Sequence, residues 1–430
     1  MFETLRNAWK VKEIRNKILF TIFIVIIFRI GSVIPVPYID VAALKAASES
    51  GATNEFFSYL SILTGGGLEY GAIFAMSVTP YINSSIIVQL LCVAIPYLER
   101  LQKEGEEGQK KLAQITRYAT VILALLQGIA YFFYLKNGGG QVSSYLSVKG
   151  GATVFAAFVI VLAFTAGSAL VMWLGEQIDA KGIGNGISML LFAGILSRGP
   201  QAFNALVAYW KLDRQVAVIG IVLGFLLVIA FIVWMTAAER RIPVQYAKRV
   251  VGNKMYGGQN THIPIKVNMS GVMPIIFASS ILMLPTMFLS FMRNTGTTAY
   301  KVLSLFSVQG VFYAVIYFIL IIGFAYFYAT IQFNPVEMAN NLRKNGGAVP
   351  GIRPGKPTSD FISKILSRIT LMGAIFLSVI AILPIIIGSV DGINISLGGT
   401  SVLIMVGVAL DTVRNVESQM MMRHYKGFLD

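Results

Sequence analysis

The sequence is poor in charge, cysteine and histidine. Charged residues make up 13% of its 430 residues, about half of the roughly 25% that is typical of soluble proteins. A single cysteine, Cys92, excludes a disulfide framework and a thiolate metal cluster. The two histidines, His262 and His424, lie far apart with no ligand spacing around them. This composition excludes a soluble enzyme, a disulfide-stapled secreted domain and a disordered chain.

Long apolar runs take the place of the missing charge. Apolar residues make up 56% of the chain, and a membrane-spanning helix needs ~20 mostly apolar residues. The sequence therefore predicts an all-α integral membrane protein with ten transmembrane helices. The predicted spans are Ile18–Pro35, Ala72–Pro96, Tyr118–Leu135, Ala152–Leu174, Ile183–Leu196, Val216–Met235, Val267–Met292, Val311–Ile331, Ile369–Ile387 and Leu397–Val413.

Lysine and arginine set the predicted orientation, because cytoplasmic loops of membrane proteins carry an excess of both. With a cytoplasmic N-terminus, the cytoplasmic pieces hold 26 of these residues and the outer pieces hold 8. We therefore expect both termini in the cytoplasm. The basic stretch Phe2–Lys17 does not read as part of a cleavable signal, because the apolar run that begins at Ile18 has no small-residue cleavage site after it. It fits an interfacial helix on an anionic leaflet, or a basic anchor that only fixes topology.

Two predicted cytoplasmic loops, 236–266 and 332–368, are too long to be simple connectors, since loops beyond ~15 residues are usually functional or disordered. Both are basic, which favours docking of an acidic or nucleic-acid-rich partner. The alternative is that they only follow the positive-inside rule. Topology requires charge but not length, so we favour docking.

Ionisable residues are scarce inside the predicted spans, where only Arg29 and Asp411 lie away from the ends. Ion-coupled transport needs intramembrane acids or histidine chains, and catalysis needs paired groups, so neither is predicted. We expect Arg29 to have a structural partner. The glycine-rich stretches 182–186 and 351–356 lack the strand–helix setting and the spacing of nucleotide sites. No cofactor is predicted.

A short apolar segment, Phe56–Leu63, precedes the glycine run Gly65-Gly66-Gly67. It is too short to cross a membrane. An apolar segment on a glycine hinge is typical of a mobile lid or of a static interfacial turn, and residue chemistry alone leaves both open.

The stretch Ala72–Gln89 reads AIFAMSVTPYINSSIIVQ. It resembles the second-helix signature of the SecY family, the channel-forming subunit of the bacterial protein translocase, and the resemblance extends across nearly the whole chain. Further matching stretches are Phe28–Gly31, Ile34–Pro37, Trp173–Ile178, Gly182–Ser188, Tyr246–Arg249, His262–Asn268 and Val349–Gly355.

This resemblance implies two inverted halves, residues 1–200 with spans one to five and 201–430 with spans six to ten, around an hourglass pore. It also implies a protein-conducting channel, not an enzyme, with an aliphatic ring at the waist. Leu191 stands where the family prefers isoleucine. Without the family, ordinary helix packing would be the favoured role of such residues. The implied ring consists of Ile82, Ile86, Ile187, Leu191, Ile276 and Ile404.

By the same resemblance, residues 56–67 are a plug, with Phe56, Phe57, Tyr59, Leu60, Ile62, Leu63, Gly65, Gly66 and Gly67 as its site residues. A lateral gate would lie between spans two and three on one side and seven and eight on the other, near Ser84, Ser85, Gln89, Asn268 and Ser280. The docking residues would be Arg240, Arg241, Lys248, Arg249, Arg353 and Lys356.

The implied partners are SecE and SecG, the SecA ATPase, the ribosome, signal peptides, unfolded precursor proteins and membrane lipids, in a bacterial cell membrane. Two alternatives from other classes remain at this point. A secondary transporter of a small solute also uses inverted repeats and broken helices, although the scarcity of intramembrane acids argues against it. A scaffold without a transport role would leave the plug-like segment unexplained.

Overall fold

The computed structural model describes residues 6, 9–49, 61, 64–137, 145–148, 152–211, 215–246, 249–251, 254–256, 260–269, 271–291, 303, 306, 311–391 and 399–426. Within this part of the chain it forms fourteen helices and five short strands. The helices are α1 Lys12–Gly31, α2 Val41–Glu49, α3 Thr79–Ala94, α4 Pro96–Lys103, α5 Glu106–Asn137, α6 Ala152–Lys181, α7 Gly186–Leu196, α8 Gly199–Lys211, α9 Gln215–Ala237, α10 Met273–Phe291, α11 Val311–Gln332, α12 Pro335–Lys344, α13 Lys356–Asp391 and α14 Gly399–Lys426.

A helix forms at each of the ten predicted spans: α1, α3, α5, α6, α7, α9, α10, α11, α13 and α14. Among the described residues, five segments are long and apolar enough to cross a membrane alone. A sixth arises if α3 and α4, bent by 103°, count as one span. The protein is therefore an α-helical membrane protein with several apolar spans.

The second span starts later than its hydropathy predicts. Residues 72–78 form turns, and α3 begins at Thr79 with Pro80 in its first turn. The turns include Ser77 with a φ of 48°, which a continuous helix does not allow. At the other end, Pro96 follows the extended Ile95 and starts α4 in a new direction.

Five strands lie within the two long loops 236–266 and 332–368, for which the sequence analysis predicts no strand. They are β1 Glu239–Tyr246, β2 Arg249–Val251, β3 Lys254–Tyr256, β4 Asn260–Lys266 and β5 Gly347–Ala348. β1 pairs antiparallel with β4, with Ile242 opposite Ile263, and on its other edge with β5. The buried side chains of Ile242 and Val244 alternate with exposed neighbours, as expected for a strand with one covered face.

Apolar side chains pack into clusters that follow the order of the chain. One large cluster draws on residues 36–164 and a second on residues 225–406. The first and last helices also meet: Ile14 of α1 packs with Ile183 and with Val416 of α14, and Lys17 Nζ donates to Gln419 Oε1 at 3.2 Å. α14 thereby connects the C-terminal end of the chain to α1.

Candidate functional site

Four helices contribute to one apolar cluster at their common contact. Leu191 and Ile195 of α7 and Ile404 and Val408 of α14 are buried there. Partly buried side chains complete the cluster: Ile82 of α3, Met189 and Phe192 of α7, Val272, and Ile276 of α10. We call this set the waist cluster. Its side chains have no hydrogen-bonding groups apart from the weakly accepting Met189 sulfur, so it excludes water without binding a particular polar group.

The waist cluster contains four of the six residues predicted for the ring, namely Ile82, Leu191, Ile276 and Ile404. Ile187 packs with Ile82 in the adjoining cluster around Phe28. Ile86 is buried on α3, one helical turn beyond Ile82, and is not a member of either cluster. The structure therefore brings residues from both sequence halves together, while the ring as a gate stays a prediction.

The helix that carries Ile187 and Leu191 is held firmly at its start. Asn185 accepts a hydrogen bond from the Ser188 backbone N–H at 3.0 Å, which caps the first turn of α7. The Gly186 N–H donates to Asp179 Oδ1 of α6 at 2.7 Å. The Ile183 N–H donates to Thr21 Oγ1 of α1 at 3.1 Å. Side chains of two other helices thus fix the position of α7.

The predicted plug is only partly within the described residues. Phe56, Phe57, Tyr59, Leu60, Ile62 and Leu63 lie outside them. Gly65, Gly66 and Gly67 belong to a buried chain of turns that we call the plug arm, defined as Ser61 together with residues 64–71. Gly65 and Gly66 adopt φ values of 67° and 89°, a left-handed conformation that favours glycine.

Three contacts join the plug arm to side chains elsewhere in the fold. Arg198, between α7 and α8, donates from Nη2 to Glu69 Oε1 at 2.5 Å. Ser197 Oγ lies 3.3 Å from the Gly65 carbonyl oxygen. Tyr131 of α5 donates from its hydroxyl to the Leu68 carbonyl oxygen at 2.9 Å. The sequence analysis missed these contacts, because no motif relates residues that lie 63, 129 and 132 positions apart.

The predicted gate residues lie on α3 and around α10, two helices that contact each other. On α3, Gln89 Nε2 donates to Ser85 Oγ at 3.4 Å. The buried Ser84 Oγ and Asn268 Oδ1 have no hydrogen-bond partner among the residues that the structure describes. Asn268 packs near Gly373 of α13, and Ser280 is half-buried on α10.

The two predicted docking loops form one body. β1 of the first loop pairs with β5 of the second, and Ile242, Val244 and Ile265 pack against Leu342 and Leu366. Of the predicted docking residues, Lys248 lies outside the described residues. Arg240 and Arg241 are exposed on β1, and Arg249 lies on β2. Arg353 is exposed in the turn before α13, and Lys356 is exposed as the first residue of α13.

Some charged groups pair with neighbours close in the sequence, both near the bend of α3 and α4 and on β1. A hydrogen bond from Lys103 at 2.5 Å lowers the pKa of the exposed Glu99 carboxyl. Arg241 of the first loop pairs with Glu239 at 2.7 Å. Across the described ranges, no group of three or more His, Cys, Asp or Glu side chains is placed to hold a metal ion.

Comparison with known proteins agrees with this architecture. The SecY family model matches residues 72–413. The curated protein translocase subunits SecY of Mycobacterium bovis and Bacillus subtilis are each 43% identical, over the full length of both chains. A solved protein-conducting channel superposes with a TM-score of 0.62 at 17% identity, covering 94% of this chain and 92% of the other. Sec61 in a canine ribosome–channel complex gives a TM-score of 0.59 at 16% identity, with the same coverage of both chains.

Proposed function

Because the chain belongs to the SecY family and is the protein-conducting channel of a Sec translocase, we propose that the waist cluster is the constriction through which polypeptides pass. The protein is a multi-pass membrane protein and not an enzyme. The observation that carries the proposal is the waist cluster itself, to which α3, α7, α10 and α14 all contribute aliphatic side chains.

An aliphatic constriction suits a channel for many different polypeptides. Narrow apolar passages exclude ions by dewetting, so a closed waist keeps the membrane sealed. Side chains such as Leu191 and Ile404 offer no hydrogen bonds, so they retain no particular residue of a passing chain. In this proposal Ile86 and Ile187 complete the ring on α3 and α7.

The plug closes the channel on its outer side and the gate opens sideways toward lipid. The gate would part α3 and α5 from α10 and α11, with Ser84, Ser85 and Gln89 facing Asn268 and Ser280. Interhelical polar contacts in membranes average only ~0.6 kcal/mol, and Ser84 Oγ and Asn268 Oδ1 have no hydrogen-bond partner in the described part of the chain, so polar contacts would not keep a signal helix from parting this seam. Signal and transmembrane segments would leave into the lipid through this seam.

Energy must come from a partner, since neither glycine-rich stretch has the spacing of a nucleotide site. The exposed arginines of the fused loops, Arg240, Arg241 and Arg353, would dock the ribosome or the SecA ATPase. Solved relatives support the first partner, because a canine Sec61 and a yeast Ssh1 complex were each captured with a ribosome. SecE and SecG would complete the complex, with both termini of this chain in the cytoplasm of a bacterium.

A disulfide crosslink tests the proposed passage. Cys92 is replaced by Ser, Ile276→Cys is introduced, and the complex receives a stalled precursor with single cysteines along its length. The matched control carries Leu227→Cys on α9, where the side chain is 69% exposed on an apolar surface. We expect crosslinks at Ile276→Cys only from the precursor region at mid-membrane, and none at Leu227→Cys. Their absence at Ile276→Cys in a folded, motor-bound complex would refute the proposal.

A further inference from the structure

One ion pair stands apart from the others in the described part of the chain. The side chains of Arg198 and Glu69 are only 10% and 19% exposed. In the other four pairs of that part, at least one partner is 48% exposed or more. Removing one partner from a buried pair is far costlier than removing one from an exposed pair, because it leaves an uncompensated charge.

The Glu69 carboxylate is well satisfied in its present position. Its Oε1 accepts from Arg198 Nη2 and from Ser61 Oγ, each at 2.5 Å. Arg198 also donates from Nε to Gln201 Oε1 at 3.3 Å. Hydrogen bonds to a charged acceptor are about twice as strong as neutral ones, so this geometry favours the arm in its present place.

The backbone of the plug arm also fits closely against the end of α7. A Cβ atom added to Gly65 would lie 2.5 Å from the Gly194 carbonyl oxygen and 2.8 Å from Arg29 Nη1. The Ser197 hydroxyl lies between Gly65 and Gly194, at 3.3 Å and 2.6 Å from their carbonyl oxygens. The ion pair and the backbone contact therefore hold the arm against the same short stretch, residues 194–198.

From this geometry we infer that Glu69 and Arg198 form a latch that holds the plug arm closed against the end of α7. The inference rests on the proposed function, in which the plug must leave its place before a polypeptide passes. Glu69 lies on the arm and Arg198 lies just beyond the helix that carries Leu191. The arm therefore cannot leave α7 without separating this ion pair. Both residues are positioning residues for the closed state.

Resting ion conductance of the reconstituted complex tests the latch. The variants are Glu69→Gln, Arg198→Gln and the double variant, and the control is Arg117→Gln, which removes a pair with Glu176 at 2.6 Å between α5 and α6. We expect each single variant to raise the resting conductance at least tenfold. The double variant should add little, because both substitutions remove one interaction. Arg117→Gln should stay at the wild-type value.

A conservative variant separates latching from simple misfolding. Arg198→Lys keeps the charge but loses the fork geometry of arginine, so its resting conductance should lie between wild type and Arg198→Gln. Unchanged conductance in both single variants, a tenfold rise in Arg117→Gln, or additive effects in the double variant would overturn the latch. So would equal conductance of Arg198→Lys and Arg198→Gln.

The same measurement distinguishes failure of the latch from failure of the proposed function. Wild-type complex that conducts ions only after a stalled precursor is added supports the channel, whatever the variants do. Precursor-stimulated conductance in wild type together with unchanged resting conductance in both Glu69→Gln and Arg198→Gln would refute the latch alone. A wild type that never responds to precursor would refute the proposed passage and the latch with it.

Discussion

Replacing Gly186 with alanine should push α7 away from α6. The Cβ atom of alanine at this position would lie 2.0 Å from the Gly175 carbonyl oxygen, whereas ordinary contacts begin near 3.4 Å. Both clashing groups are fixed to helical backbone, so no side-chain rotation relieves the overlap. The helices must therefore separate by about 1.4 Å, which also stretches the bond from the Gly186 N–H to Asp179.

The cost of this shift can be bounded. Overpacking a tight site costs ~1–3 kcal/mol, and loss of the Asp179 hydrogen bond adds ~0.5–1.5 kcal/mol. At about 1 °C per kcal/mol for a chain of 430 residues, the melting temperature should fall by roughly 2–4 °C. Thermal unfolding of the purified complex in detergent, followed by tryptophan fluorescence, measures this change.

Gly224→Ala is the matched control. Gly224 lies within α9, and an added Cβ there meets nothing within 4 Å. Alanine is favoured over glycine inside a helix by about 0.5–1 kcal/mol, so this variant should melt at the wild-type temperature or slightly above. Equal melting temperatures for Gly186→Ala and Gly224→Ala would refute the argument that close backbone contact fixes α7.

Two further outcomes follow from the waist cluster and the fused loops. Replacing Ile86 and Ile276 with Gly should raise ion leak through the resting complex, because the aliphatic barrier loses side chains on α3 and α10; unchanged leak would remove both residues from the ring. Arg353→Glu should weaken binding of ribosomes to purified complex at least tenfold, whereas Lys110→Glu, an equal charge change on the exposed start of α5, should not. Equal weakening by both variants would mean that net charge, not the loop surface, controls docking.

The membrane helices could be predicted from the sequence because hydropathy is a local property. Each of the ten predicted spans overlaps a helix, although residues 72–78 form turns and α3 starts only at Thr79. The i, i+4 spacing of Ile187 and Leu191 also predicts that both lie on one face of α7. Such spacing predicts which residues share a helix face, but it does not predict which helix that face contacts.

Features that depend on distant residues escaped prediction. β1 carries three charged residues and reveals its alternation only through Ile242 and Val244. Its partner β5 lies about a hundred residues away and contains just Gly347 and Ala348. The ion pair of Glu69 and Arg198 escaped prediction for the same reason, because two charged residues so far apart in the sequence have no characteristic spacing. Tertiary contact, not local pattern, decides these elements.

The sheet that fuses the two loops restricts how this region can be exchanged between relatives. Residues 236–266 and 332–368 share a strand pairing and an apolar core. A chimaera that transplants only one loop would place Ile242 and Val244 against a foreign surface, and it would lose the pairing of Tyr246 with Gly347. The unit of substitution is therefore the pair of loops, which must be inherited, exchanged or engineered together.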